Sequence, residues 1–135
     1  MEVYKSKISH ISGTSYREVY SHAKFIYKQI VSKTKRKPYI RSKYFKKEKI
    51  FLDLFWQHIH DKSKNDRLRR FRFYSCAIDL IENTMIKPVS KQNPNKQSET
   101  VHRFKGITRE KNIFYVQIKE EKGGAKYFIS VFPEE

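Results

Sequence analysis

The stretch IFYVQIKEEKGGAKYFISVFP, residues 113–133, decides the fold of this chain. Apolar and polar side chains alternate on both sides of the paired glycines, and a period of two is typical of strands with one buried face. Two such runs joined by Gly123-Gly124 predict a β-hairpin with a two-residue turn. We therefore expect antiparallel strands over about 113–121 and 126–132.

A two-residue turn also sets the register of the hairpin. It places Ile118 opposite Ile129 on the face that packs on helices. The opposite face then displays Tyr115, Gln117, Lys119, Phe128, Ser130 and Phe132. Alternation over 100–106 predicts a third strand, whose Arg103 and Lys105 join that polar and aromatic face. Exposed rings on a small domain usually mark a contact surface, although the N-terminal segment could instead cover them.

The sequence before these strands has helical periodicity. Apolar residues recur at helical spacing over three segments, at about 15–32, 48–60 and 67–83. A short strand is predicted at 2–9, and two prolines indicate a loop over 84–99. Helices followed by a strand meander predict an α+β fold, with N-terminal helices packed on a three- to four-stranded antiparallel sheet. Because no repeat divides the chain, residues 1–135 are predicted to form a single domain.

The composition favours a nucleic-acid partner. Lysine and arginine number 30 against 14 acidic residues, for a formal net charge of +16, and aromatic residues make up 15% of the chain. Such charge favours a polyanion, and rings among cations suit unstacked bases, so RNA is the predicted partner. The alternative is that the charge is only solvated. With one cysteine, no zinc spacing, no signal peptide and no long apolar run, we expect a cytoplasmic protein without metal, cofactor or membrane contact.

Two segments concentrate the basic charge. KTKRKPYIRSKYFKKEK, residues 33–49, is predicted to be a basic loop, either a phosphate-binding arm or a solvated linker. The first turns of the third predicted helix contain Arg67, Arg69, Arg70 and Arg72. Cations there oppose the helix dipole, so phosphate contacts explain these arginines better than helix stability does. The predicted RNA-binding residues are Arg67, Arg69, Arg70, Arg103, Lys105, Tyr115, Gln117 and Phe128.

The segment WQHIHDK contains two candidate catalytic histidines, His58 and His60. Two positions apart on a helix, they point about 200° from each other and cannot bind one metal ion, so at most one can serve a site. His58 lies on the apolar stripe and is either a core histidine or the catalytic one. Metal-free RNA cleavage needs a base, a cation for the charged phosphorane and an acid, all of which this chain contains. Its aspartates are too scattered to favour a metal-dependent nuclease.

The order of these features resembles that of a known superfamily. A helix ending in histidine, an arginine-containing stretch, a helix, a proline-containing loop and the strands KGITREKNIFYVQIKEE and KYFISVFP resemble the barnase–EndoU–colicin–RelE (BECR) ribonucleases. The likeness is strongest to their phage-associated and polymorphic-toxin branches, whose last strand often ends in Thr or Ser, a small residue, an aromatic residue and Pro. Ser130-Val131-Phe132-Pro133 matches that pattern. The resemblance covers residues 50–133 as a nuclease core and leaves residues 1–49, a helix plus the basic loop, unmatched.

The resemblance implies a metal-independent endoribonuclease, a toxin-type enzyme that cleaves tRNA or other cellular RNA to a 2′,3′-cyclic phosphate. It also implies roles for single residues: His58 or His60 would be the family's histidine, Lys119 its strand cation and Ser130 its last-strand hydroxyl. A cognate acidic antitoxin or immunity protein would be a further partner. Two alternatives stay open, a non-catalytic RNA- or DNA-binding module and a phage protein that inhibits a host nuclease.

Overall fold

Four helices and seven strands form the part of the chain that this computed structural model describes, residues 2–135. In chain order they are β1 (Tyr4–Lys5), α1 (Tyr16–Ser32), β2 (Tyr39–Ser42), β3 (Glu48–Phe51), α2 (Asp53–His58), α3 (Lys64–Phe71), α4 (Tyr74–Asn83), β4 (Val89–Asn93), β5 (Lys96–Ile107), β6 (Ile113–Glu120) and β7 (Lys126–Pro133). A 3-10 turn, Ile59–Asp61, follows α2 directly. The first predicted helix and the predicted last two strands are confirmed to within a residue.

All seven strands belong to one mixed sheet. The strand order is β1-β5-β6-β7-β3-β2, and β4 pairs with β5. β1 runs parallel to β5 and β3 runs parallel to β7, whereas the other pairs are antiparallel. The chain is therefore α+β, but the expectation of a three- to four-stranded antiparallel sheet is wrong.

The additional strands come from segments whose charge conceals their alternation. Residues 33–49, predicted to be a loop, contain β2 and the start of β3. These strands form a hairpin in which Ile40 pairs with Ile50 and both are buried. Each strand is four residues long and directs one isoleucine to the core. One apolar residue per strand is too few to reveal the alternation that is typical of strands. The second helix accordingly begins at Asp53 rather than near residue 48.

The third predicted helix is divided into α3 and α4 at a turn. Phe71 and Phe73 are 1% and 8% exposed, although residues two apart on a helix point about 200° from each other. The Phe73 N–H bonds the Arg70 carbonyl at 3.1 Å, and the resulting turn brings both rings into the core. Arg72 donates to the Ile11 carbonyl at 3.2 Å and so holds the segment before α1, a structural use in place of the expected phosphate contact.

The turn of the β6–β7 hairpin is one residue longer than predicted. The Glu121 N–H bonds the Ala125 carbonyl and the Gly124 N–H bonds the Glu121 carbonyl, so three residues form the loop. Gly124 has a φ of 93°, a left-handed conformation that glycine adopts without a steric penalty. The pairing next to the turn is thereby shifted by one residue, and Lys119 lies opposite Tyr127.

A β-bulge in β7 cancels this shift before the strands reach the candidate site. The register changes between Gln117, which pairs with Ser130, and Ile118, which pairs with Phe128, so Ile129 is the extra residue. From the bulge to the end of β7 the predicted pairing is therefore confirmed. Between the turn and the bulge it is wrong.

The two faces of the sheet differ in burial. The face that packs on the helices includes the buried side chains of Phe104, Phe114, Val116, Ile118, Phe128 and Val131. The other face, called the open face below, displays Arg103, Lys105, Tyr115, Gln117, Lys119, Tyr127, Ser130 and Phe132, all at least partly exposed. Within residues 2–135, no helix has the length and apolar composition that a membrane span requires.

Candidate functional site

A cavity of about 620 Å³ lies where α2 and α3 meet the open face beside β7, and it is called the edge cavity below. Its polar and aromatic lining consists of Phe55, His58, Lys62, Arg69, Arg70, Arg103, Tyr115, Gln117, Ser130, Phe132, Glu134 and Glu135. Seven of the residues predicted from the sequence therefore share one cavity: His58, Arg69, Arg70, Arg103, Tyr115, Gln117 and Ser130. Its lining is cationic and aromatic, which suits a nucleotide phosphate with a base beside it.

The floor of the cavity is built around Arg70. Its Nη1 donates to Ser130 Oγ at 2.6 Å, and its Nε donates to Asp66 Oδ1 at 3.2 Å. The same Asp66 oxygen accepts from Arg69 Nη2 at 3.0 Å. Burial raises the pKa of Asp66, but hydrogen bonds and charge from Arg69 and Arg70 outweigh it and lower the pKa below its ordinary value. One carboxylate thus holds both guanidinium groups, and that of Arg70 donates to the hydroxyl of the last strand.

The short helix α3 explains how these side chains come together. The Ser63 side chain accepts from the Asp66 N–H and caps the helix. Arg69 and Arg70 follow Asp66 by three and four residues, the spacing at which side chains on one helix meet. They lie in the last turn of α3, where the helix dipole favours cations, so the predicted conflict with the dipole is wrong.

Two rings and two guanidinium groups form the wall of the cavity on the open face. The Tyr115 and Phe132 ring centroids are 5.6 Å apart at an interplanar angle of 31°. Arg103 Cζ lies 5.8 Å from the Tyr115 centroid and 5.5 Å from that of Phe132, and Arg70 Cζ lies 5.6 Å from Phe132. Rings and guanidinium planes are the groups on which unpaired bases stack. This wall can therefore hold a base while the arginines contact its phosphate.

Two carboxylates after β7 lie at the rim. Glu135 Oε1 accepts from Arg69 Nη1 at 2.7 Å, and Glu134 Oε1 accepts from the Tyr115 hydroxyl at 2.6 Å. The hydrogen bond to Glu134, together with burial and the carboxylate charge, raises the pKa of Tyr115. The Glu135 side chain is 81% exposed, so a phosphate can displace it from Arg69 with little rearrangement. Arg69, which the sequence predicts to bind a phosphate, is therefore already in contact with an anionic group, the Glu135 carboxylate.

The two candidate histidines lie in different surroundings. His58 ends α2, is exposed to solvent and lines the edge cavity. His60 is exposed in the 3-10 turn and is not part of the cavity lining. α2 is held firmly behind His58, because Phe55 stacks on Phe128 with centroids 4.8 Å apart and Ile59 is buried. The geometry thus favours His58 over His60 as the candidate catalytic histidine.

Five predicted site residues lie outside the cavity lining, and four of them remain at least partly exposed. Lys119 Nζ is 3.8 Å from Glu99 Oε2 and 3.6 Å from Glu121 Oε2, and Lys105 Nζ is 5.8 Å from the centroid of the Tyr115 ring. The others are Arg67, which donates to the Lys62 carbonyl at 2.9 Å, and His60. The structure therefore does not bring Lys119 together with His58 and Ser130.

The prediction that Phe128 binds RNA is wrong for a different reason. It was predicted to lie on the open face, but it is 0% exposed and packs against Phe55 in the core. The longer turn reverses the side to which β7 residues point between the turn and the bulge, and Phe128 lies in that interval. It cannot contact RNA in this conformation.

Sequence reasoning missed several lining residues and one histidine network. Phe132 was assigned to the correct face but not to the site, Lys62 follows the histidine motif directly, and nothing in the sequence pointed to Glu134 or Glu135. His102 lies on the helix-covered face, with Nδ1 2.6 Å from Ser90 Oγ and Nε2 2.8 Å from Glu120 Oε1. Because both nitrogens are engaged within the protein, this histidine is built into the sheet rather than presented to a ligand.

Among residues 2–135, no group of three or more His, Cys, Asp or Glu side chains is placed to hold a metal ion. Comparisons with protein-family models, curated proteins and solved structures find no significant match to this chain.

Proposed function

We propose that this protein is an endoribonuclease that cleaves RNA without a metal ion and leaves a 2′,3′-cyclic phosphate. The observation that supports it best is the 2.6 Å hydrogen bond from Arg70 to Ser130 in a cavity that His58 also lines. This reaction requires a base, a cation for the charged phosphorane and an acid, and His58, Arg70 and Lys62 of the cavity lining can take these three roles.

The proposed reaction assigns one task to each group. His58 accepts the proton of the 2′-hydroxyl, whose oxygen forms a bond to the adjacent phosphorus. Arg70 stabilises the negative charge that develops on the phosphorane, and the Ser130 hydroxyl donates to one of its oxygens. The bond from phosphorus to the 5′ oxygen then breaks, and that oxygen takes a proton from Lys62 or from solvent.

Substrate positioning is proposed for the open-face wall. Tyr115 and Phe132 stack on the base next to the scissile phosphate, and Arg103 contacts the same base or its phosphate. The Gln117 amide, which also lines the cavity, can hydrogen-bond a base edge.

In the toxin-type role that we propose, tRNA or another cellular RNA is the substrate. An acidic antitoxin or immunity protein would neutralise the enzyme by contacting Arg69 as Glu135 does here.

The test is incubation of the purified protein with total cellular RNA in excess EDTA, beside the His58→Ala variant. We expect the wild type to degrade RNA and the variant to be slower by about a hundredfold or more. Cleavage that requires added magnesium, or that His58→Ala leaves unchanged, would overturn the proposed mechanism.

A non-catalytic RNA-binding module is the second candidate. The stacked pair Tyr115–Phe132 favours it, because base stacking needs no proton-transfer group. The RNA-binding function would replace the ribonuclease proposal if the wild type binds RNA with a steep salt dependence but cleaves no RNA in either EDTA or magnesium.

A further inference from the structure

A second group of rings lies on the open face, away from the edge cavity. Tyr39 of β2 pairs with Phe51 of β3, and Phe51 pairs with Tyr127 of β7. The ring centroids are 6.4 Å apart for Tyr39 and Phe51 and 5.6 Å apart for Phe51 and Tyr127. All three residues are half-buried, and together they form a row across three adjacent strands, called the aromatic row below.

Cations flank the aromatic row at both ends. Lys49 Nζ lies 4.7 Å and Arg41 Cζ 5.4 Å from the Tyr39 centroid. Lys37 Nζ lies 5.9 Å and Lys119 Nζ 5.4 Å from the centroid of Tyr127. Rings interleaved with cations are the combination with which proteins hold a single strand of nucleic acid.

Hairpin stability alone does not account for these cations. Arg41 and Lys49 are direct cross-strand partners, and like charges at directly opposed positions destabilise a sheet. Arg41 Nη1 donates to the Lys47 carbonyl at 2.9 Å rather than to a carboxylate. A single cation over Tyr39 would supply the attraction to the ring without this repulsion. A polyanion between the two side chains would remove it.

We infer that the aromatic row is a second contact for single-stranded RNA, which binds nucleotides adjacent to those in the edge cavity. This inference takes the class of substrate from the proposed function. Because of the bulge at Ile129, Tyr127 and Ser130 point to the same face of β7, and three positions along the strand correspond to roughly 10 Å. Lys119 lies opposite Tyr127, two residues from the cavity-lining Gln117, and thus bridges the two regions. Bases stacked on rings are read with little sequence preference, so the row selects for an unpaired strand rather than for a sequence.

The test measures binding of a fluorescent single-stranded 2′-O-methyl RNA of about twelve nucleotides, which cannot undergo attack by a 2′-hydroxyl. We expect the double variant Tyr39→Leu, Tyr127→Leu of the full chain to bind it about fivefold to a hundredfold more weakly than wild type. The loss should be larger than for a probe of about three nucleotides. Phe25→Leu is the matched control, since Phe25 is an exposed ring on α1 outside the open face. Equal affinity of a folded double variant and wild type would overturn the inference.

A second double variant removes charge instead of rings, and it tests the inference even if the first variant does not fold. Arg41→Gln with Lys49→Gln should unfold at the same or higher denaturant concentration than wild type, because the opposed charges are gone. The salt dependence of binding to the same probe should fall by about one unit of slope. A loss of stability with an unchanged slope would show a structural role and reject the inference. Because the probe is not cleaved, failure of the ribonuclease proposal leaves this measurement interpretable.

Discussion

Arg70 and Ser130 are joined by a 2.6 Å hydrogen bond although sixty residues separate them in the sequence. The bond connects the last turn of α3 to the strand β7 and defines the floor of the edge cavity. Asp66 holds the same guanidinium from the other side, so its position is fixed before any ligand binds. A cation fixed in advance can stabilise charge that develops only in the transition state.

Arg70→Ala should therefore reduce the rate of cleavage far more than the affinity for RNA. Loss of one fixed donor to a developing oxyanion lowers turnover by about a hundredfold to a thousandfold. Arg70→Lys keeps the charge but not the geometry of the fork, and we expect it to restore only part of the rate. Single-turnover cleavage and binding of uncleavable RNA provide the two measurements. Arg17→Ala, an exposed arginine of α1, is the control, and an equal loss in it would rule out a specific role for Arg70.

His58→Ala and His60→Ala should behave differently from each other. His58 lines the edge cavity and His60 does not, although the two residues are almost adjacent in the sequence. Loss of a general base lowers the rate by about a hundredfold or more, so His58→Ala should be nearly inactive and His60→Ala close to wild type. Initial rates on a defined RNA measure both. A defect confined to His60→Ala would transfer the role to the other histidine.

Asp66→Asn should make stability less dependent on pH. Because the arginines lower the folded-state pKa of Asp66, its ionised form stabilises the fold above the unfolded-state pKa, and this contribution is lost as the pH falls through the folded-state pKa. The partly exposed pairs are worth roughly 0.5–1 kcal/mol at neutral pH. Urea unfolding should therefore separate the variant from wild type at neutral pH and bring them together in acid. A constant difference at every pH would point to the cap of α3 rather than to the charge.

Gly106→Ala should destabilise the sheet. A Cβ at this position would lie 2.6 Å from Phe114 Cζ and 2.9 Å from Leu80 Cδ1, both in the packed core. Overpacking of this kind reduces the free energy of unfolding by about 1–3 kcal/mol. Gly123→Ala is the matched control, because no atom lies within 4 Å of its added Cβ. The two variants should differ in thermal denaturation, and equal midpoints would contradict the close packing.

Local patterns predicted the parts of the fold that local contacts determine. The period of α1 and the alternation of β6 and β7 extend over enough residues to be recognised. The predicted pair Gln117–Ser130 is confirmed because the bulge at Ile129 offsets the extra residue in the turn. The parallel pairs of β1 with β5 and β3 with β7 join distant, short segments and leave no local signal. Phe128 was assigned to the wrong face because the turn and the bulge change the register twice within a few residues.

The central claim is that the edge cavity cleaves RNA by using the 2′-hydroxyl, and one comparison tests it directly. Wild-type protein in excess EDTA is given a single-stranded RNA and its 2′-O-methyl counterpart, and the ends of the products are identified by mass spectrometry. We predict fragments with a 2′,3′-cyclic phosphate and a 5′-hydroxyl from the RNA and none from the methylated strand. An intact RNA in EDTA, or cleavage of the methylated strand, would contradict the claim.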